Sequence, residues 1–203
     1  MSARRFALAL LSLAFSIAPA FADQLDCTTI GPTTTLADLQ KTYGKANVVT
    51  GEVDGPEGTT MIATTIFPND ADKTFMVYWF DEEKHERLAG FTVPEKDTGP
   101  GGIKLGMSIK DVQKLNGEPF TLQGFYWDYG GAAGFQSGKL ANLAGGCYLN
   151  LTFTPAKDPT TDAISNAVSG DKEIRSDLKE LDAIEPVVSA MDIGYADPEA
   201  PAD

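Results

Sequence analysis

Histidine occurs once, at position 85, and cysteine twice, at positions 27 and 147. A zinc centre takes three or four nitrogen and sulfur ligands, so this inventory leaves no usable ligand set for one. No Gly-x-Ser-x-Gly, phosphate-binding loop or dinucleotide fingerprint occurs. His85 sits in Asp81-Glu82-Glu83-Lys84-His85-Glu86, a charged turn with no adjacent nucleophile or orienting partner, and reads as a solvated loop residue. Asn69-Asp70-Ala71-Asp72 lacks the central glycine and distant glutamate of a calcium loop and reads as a hairpin turn. No cofactor and no enzymatic activity are expected. Basic residues are scarce, 16 against 29 acidic, for a net charge of −13. Such a surface repels phosphate backbones and anionic headgroups, which argues against nucleic acid as a partner. Beyond the first residues no apolar run is long enough to span a bilayer, so no transmembrane anchor is expected.

What the chain does have begins at its start. Arg4 and Arg5 precede an apolar run from Phe6 to Ala18, broken only by Ser12 and Ser16. Pro19-Ala20-Phe21-Ala22 then places small residues where a signal peptidase cuts. The run is shorter than the roughly 20 residues a membrane span needs. Residues 1–22 therefore read as a signal peptide cleaved near Ala22. Cys27 follows Gln24-Leu25-Asp26, which is not the setting of a lipidated cysteine. Cleavage would leave 14 basic residues against 29 acidic and a net charge of −15. The expected location is the periplasm or the medium. Two lone cysteines in an oxidising compartment pair, so a Cys27–Cys147 disulfide is expected.

A duplication runs through the chain. Thr35-Leu36-Ala37-Asp38-Leu39-Gln40-Lys41-Thr42-Tyr43-Gly44 aligns without gaps with Ser108-Ile109-Lys110-Asp111-Val112-Gln113-Lys114-Leu115-Asn116-Gly117. Each copy reads as a short helix, with a hydroxyl cap, an acid three residues on, apolar residues at helical spacing and a terminating glycine. Helices of two to three turns are marginal alone and must pack on something. After the first, Asn47 to Thr50, Thr60 to Phe67, Thr74 to Phe80 and Arg87 to Val93 read as an antiparallel meander. Pro94 to Gly102 reads as a linker. After the second helix come an aromatic strand from Phe120 to Tyr129, a Gly- and Ala-rich insertion from Gly130 to Gly146, and a strand from Cys147 to Phe153. A polar loop from Pro155 to Asp171, a helical turn near Asp177 to Leu181 and a last strand from Val187 to Tyr195 complete the reading. The expected fold class is α+β: two tandem units, 23–96 and 97–195, each a short helix on an antiparallel meander. An acidic tail, 196–203, is expected to be disordered.

In Phe75-Met76-Val77-Tyr78-Trp79-Phe80 both alternating faces are apolar. A sheet with helices on one side only is expected to be polar on the other, so the second face calls for a cover. The other repeat or the Gly-rich insertion could supply it. Otherwise the aromatics form a binding surface, for which Tyr78, Trp79, Phe80, Phe125, Tyr126, Trp127 and Tyr129 are the candidates.

The stretch Leu105-Gly106-Met107-Ser108-Ile109-Lys110-Asp111-Val112, with Gly117-Glu118-Pro119, resembles a Gly-Met-Ser/Thr-x-x-x-Val…Gly-x-Pro segment. That segment belongs to the outer-membrane assembly lipoproteins of the SmpA/OmlA (BamE) type, and it recurs in the tandem-domain beta-lactamase inhibitor proteins. About fifteen residues carry the likeness. Phe125 to Gly131 is similar to a stretch of uncharacterised bacterial exported proteins. The resemblance implies a small unit of helices on an antiparallel sheet, with Gly106, Met107, Ser108, Asp111, Val112, Gly117 and Pro119 as its structural residues. It also implies an exported context. The expected function is a non-enzymatic binding protein, inhibitor- or scaffold-like, for an envelope or extracellular protein. An envelope-maintenance protein without a dedicated target, or a carrier of a small ligand held between the repeats, are the alternatives.

Overall fold

A computed structural model describes residues 25–55 and 58–200. The signal-peptide reading of residues 1–22 and the last three residues of the acidic tail lie outside that range.

Both duplicated segments form the expected helices, α1 (Leu36–Tyr43) and α2 (Ile109–Asn116). Thr35 caps α1 in a full capping box: its hydroxyl accepts from the Asp38 amide at 3.2 Å, and its own amide donates to the Asp38 carboxylate at 3.0 Å. Ser108 accepts from the Asp111 amide at 3.2 Å and donates its hydroxyl to the Asp111 carboxylate at 2.7 Å. Gly117 ends α2 at φ 88°, left-handed geometry that suits glycine. Leu39, Ile109 and Val112 are the residues these helices bury most deeply, with the Asn116 side chain.

The helices lead into strands. The fold is α+β, built on one antiparallel sheet of seven strands. The first segment supplies β1 (Val48–Asp54), β2 (Thr60–Ile66), β3 (Phe75–Asp81) and β4 (Glu86–Thr92) as a meander. The second supplies β5 (Thr121–Gln123), β6 (Ala132–Gly134), β7 (Tyr148–Pro155), α3 (Asp162–Val168), β8 (Glu173–Arg175), α4 (Leu181–Ile184) and β9 (Pro186–Gly194). The strand order is β1-β2-β3-β4-β9-β7-β6, and β5 pairs with β8 in a separate ribbon. The two segments thus share the large sheet, joined where β4 meets β9 through Gly90↔Gly194, Phe91↔Ile193 and Thr92↔Asp192.

One face of this sheet holds the core. Across it, Thr64, Val77, Phe91, Ile193 and Leu149 lie in one cross-strand row, each paired with the next and all buried. Phe75 and Trp79 continue it on β3, and Leu151 and Phe153 on β7. The remaining elements pack on this same face. Leu122 and Ile174 from the ribbon, Val168 from α3 and Leu181 and Ile184 from α4 all belong to the same apolar cluster as the helices. So do Leu25, Cys27 and Ile30 from the start of the described chain.

Several connections are better ordered than their sequence implies. Residues 94–102, read as a linker, bury Pro94 and Pro100, and the residues that follow are laid on the core. Ile103 is fully buried, and the Gly106 amide donates to the Val188 carbonyl at 2.8 Å. The Gly-rich insertion carries β6 and a helical turn at Lys139–Ala141, fastened by Asn116, whose side-chain oxygen accepts from the Leu140 amide at 3.1 Å. The polar stretch 155–171 contains α3, capped by Thr161. The aromatic strand expected from Phe120 to Tyr129 is only three residues long, because the chain turns at Gly124 to bond the end of α3. The described part of the tail is tied down by Arg87, which pairs with Asp197 at 2.7 Å and Glu199 at 3.3 Å.

Cys27 and Cys147 are bonded, with Cα atoms 5.8 Å apart and both side chains buried. Nearby, the Tyr195 hydroxyl donates to the Ile30 carbonyl. Burial and the Asp26 carboxylate push the Tyr195 phenol up to about 12. The folded state therefore keeps a proton that the unfolded chain gives up near its ordinary value of about 10. Stability from this group is complete below that value and falls as pH rises from about 10 towards 12. Denaturation midpoints measured across this window are expected to drop in the wild type and to drop less in Tyr195→Phe.

Candidate functional site

The opposite face of the sheet is where the candidate surface lies, and it differs from the expectation in two ways. First, no other repeat covers it. Among the described residues every helix and the β5–β8 ribbon belong to the core-side cluster. The reason is topological: two segments that share a sheet cannot stack face to face. Second, its members are not all those expected.

Trp79 is 3% exposed and points into the core, where its ring nitrogen donates to the Thr64 hydroxyl at 2.9 Å. The His85 ring stands edge-on to it at 6.3 Å, which accounts for the lone histidine as a packing residue of the β3–β4 turn. Phe125 is 1% exposed and equally internal. Neither residue is part of a surface. The physical reason is strand parity: Trp79 shares a face with Phe75 and Val77. The chain turn at Gly124 sends Phe125 inward beside Ser169.

Tyr78 and Phe80 do lie on the open face, both half-buried. Phe80 is roofed by Arg87, whose guanidinium carbon sits 6.0 Å from the ring centre, and Arg87 is in turn held by the tail. Tyr126, Trp127 and Tyr129 occupy the loop between β5 and β6. Tyr126 and Tyr129 are about half exposed, and the Trp127 and Tyr129 rings meet at 5.4 Å. Tyr126 has φ 65°, uncommon for a bulky residue. From β3 to β6 is four strand steps, about 19 Å at ordinary spacing. The sequence candidates thus split into a sheet patch and a loop patch, with two members in the core.

The sheet patch contains residues that sequence reasoning missed. Cross-strand pairing builds two rows on the open face. One runs Gly51, Ala63, Tyr78, Gly90, Gly194, Tyr148. The other includes Thr92, Asp192, Asn150 and Gly134, with Met76 beside Thr92, to whose hydroxyl its amide donates at 2.9 Å. Tyr148 is 57% exposed and Val49, at the far edge, 49%. Gly194 and the buried Gly90 lie between Tyr78 and Tyr148, which stand three strand steps apart, about 14 Å. Asp192 is half-buried beside the two glycines. Burial raises its carboxyl above the ordinary value, and no lysine or arginine offsets that. Tyr148 and Asn150 were legible as the exposed positions of an alternating strand.

A second concavity, of about 350 Å³, opens at the end of α1. Leu25, Tyr43, Phe67 and Phe75 wall it, with Lys73 and Asp97 on its rim. The Tyr43 ring meets Phe67 and Phe75 edge-on at 5.7 and 5.5 Å. Asp70 and Asp72, the calcium-like turn of the sequence, instead pair with Lys73 at 3.1 Å within the β2–β3 turn and with Lys96, in the segment after β4, at 2.6 Å. Among the described residues no group of three or more His, Cys, Asp or Glu side chains could hold a metal ion. No described helix is long and apolar enough to cross a membrane.

The structural residues of the resemblance fall where a cap and turn need them. Gly106 has φ 80°, and the Met107 carbonyl accepts from the Val188 amide at 2.9 Å. Ser108 and Asp111 form the cap, Val112 is fully buried, and Pro119 follows the Gly117 turn. Compared with protein-family models, curated proteins and solved structures, the chain matches none of them.

Collisional quenching separates the two tryptophans. Acrylamide is expected to reach half-buried Trp127 and to spare Trp79. Trp79→Phe should then remove the shielded fraction of the emission and leave the quenched fraction. Full shielding of both rings in the monomer would contradict the loop patch.

Proposed function

We propose that this protein is a non-enzymatic binding protein, acting after export in the periplasm or the medium, that holds another protein against the open face of its sheet. One observation carries the reading. The face presents Val49, Met76 and Tyr78 without a helix or ribbon over them among the described residues, and Tyr148, 57% exposed, on a concavity it shares with the β5–β8 ribbon. Exposed tyrosines on a rigid sheet give contact area at little cost in side-chain freedom, and Tyr is enriched where interfaces concentrate their energy. The buried Cys27–Cys147 bond fits an oxidising compartment. Tandem inhibitors and assembly lipoproteins, which the Gly106–Pro119 segment resembles, favour a protein partner over a substrate.

The test places a photocrosslinking side chain at Val49, on the open face, and separately at Lys114, exposed on α2, in living cells. Adducts of one defined mass from Val49 alone are the expected result. Identical patterns from both positions, or none from either, would refute the reading. The concavity walled by Tyr43, Phe67 and Phe75 supports a second reading, a carrier of a small apolar ligand. Native mass spectrometry of the exported protein tests that one, by a retained mass that Phe67→Ala loses.

A further inference from the structure

We propose that Asp192 anchors a lysine or arginine side chain of the protein docked on the open face, received beside the β4–β9 junction between Tyr78 and Tyr148. This rests on the docking reading above and names the chemistry of its partner.

Residues from four strands frame the carboxylate. On β4 its neighbours are Thr92 and Gly90, and on β7 they are Asn150 and Tyr148. On its own strand they are Gly194 and Ala190, and from β3 Tyr78 and Met76 look onto the same face. None of these carries a positive charge. Arg87, the cation of this face, is already held by Asp197 and Glu199. Asp192 has no hydrogen-bond or ion-pair partner among the described residues, although β-strand geometry fixes it in a half-buried place. A carboxylate that is partly desolvated and unpaired costs the fold stability. Its cost is recovered when a cation arrives from outside.

The flanking residues suit such a guest. Gly90 lets β4 and β9 approach closely, since a Cβ there would meet the Ile193 carbonyl oxygen at 2.4 Å, and a Cβ at Gly194 would stand 3.6 Å from the Asn150 side-chain nitrogen. Tyr78 and Tyr148 flank this junction, and an aromatic face attracts an ammonium or guanidinium group. The long apolar stem of lysine or arginine matches Met76 and the tyrosine rings, while its head reaches the carboxylate. Finally, a chain of net charge −13 draws basic partners over distance and speeds their encounter.

The experiment uses the full mature chain and four blocked peptides, Ac-Gly-Xaa-Gly-amide with Xaa arginine, lysine, norleucine or glutamate. Amide shifts are followed by NMR. Saturable shifts at Gly90, Asp192, Gly194 and Asn150 are expected with the arginine and lysine peptides only. Asp192→Asn keeps the shape and should weaken them about ten-fold, with the melting temperature unchanged or higher. Equal binding by Asp192→Asn, equal binding of the norleucine peptide, or shifts elsewhere would overturn the anchor. Crosslinking from Val49 separates this from the parent reading. A partner adduct that vanishes in Asp192→Asn supports the anchor. An adduct at wild-type level in Asp192→Asn removes the anchor and leaves the docking face. No adduct from the wild-type chain removes both the docking face and the protein-borne guest.

Discussion

Replacing Cys27 and Cys147 together by alanine is expected to lower the unfolding free energy by about 4–5 kcal/mol, the chain-entropy value for a bridge across a separation of 120 residues. The bond ties the start of the described chain to the beginning of β7, across nearly the whole fold. Without it the segment 25–34 keeps Leu25 and Ile30 in the core and the Tyr195 hydrogen bond to Ile30. Those contacts are few, so they hold the segment only weakly once the covalent tie is gone. For a chain of this size the loss is about a 10–15 °C fall in melting temperature. Urea denaturation of the oxidised wild type and the double variant measures it. Hydrogen exchange should show the protection of residues 25–34 falling first and furthest. A loss under about 1 kcal/mol would mean that the unfolded chain is already compact enough to make the bridge redundant.

The parts of this fold that were legible in the sequence are those governed by neighbours along the chain. The caps at Thr35 and Ser108, the terminating glycines and the apolar stripe of each helix depend on residues three or four apart, so α1 and α2 could be placed within a residue or two. The β3 alternation, Phe75, Val77 and Trp79 against Met76, Tyr78 and Phe80, was equally local. Which face turned inward was not, because both were apolar and only the rest of the chain decides. The shared sheet was illegible for the same reason. Nothing near Thr92 announces that Asp192, a hundred residues on, will lie beside it. The open face was assembled the same way. Gly90 and Gly194 stand in strands far apart along the chain, and only their pairing sets them side by side between two tyrosines. Tyr126 and Tyr129, read as part of a strand from Phe120 to Tyr129, stand instead in the β5–β6 loop, about half exposed.

The junction of β4 and β9 sets the second large effect. Phe91 is fully buried, with Val77 opposite it on β3 and Ile193 opposite it on β9. It therefore sits in the middle of the row that joins the strands of the first segment to those of the second. Phe91→Ala removes most of an aromatic ring from a site whose walls are backbone-anchored strands on both sides, so little collapse can refill the space. The expected cost is about 3–5 kcal/mol. Its form matters more than its size. A sheet shared by both segments unfolds as one unit, and the variant should show a single transition at lower denaturant by fluorescence and by far-ultraviolet circular dichroism alike. Trp79 reports on the first segment and Trp127 on the second, so single-tryptophan versions of Phe91→Ala sharpen the comparison. Coincident curves mean that the sheet is one cooperative body despite its duplicated helices. Curves that separate, with Trp79 lost early and Trp127 retained, would mean that each capped helix and its strands stand as a unit and that the β4–β9 junction contributes little.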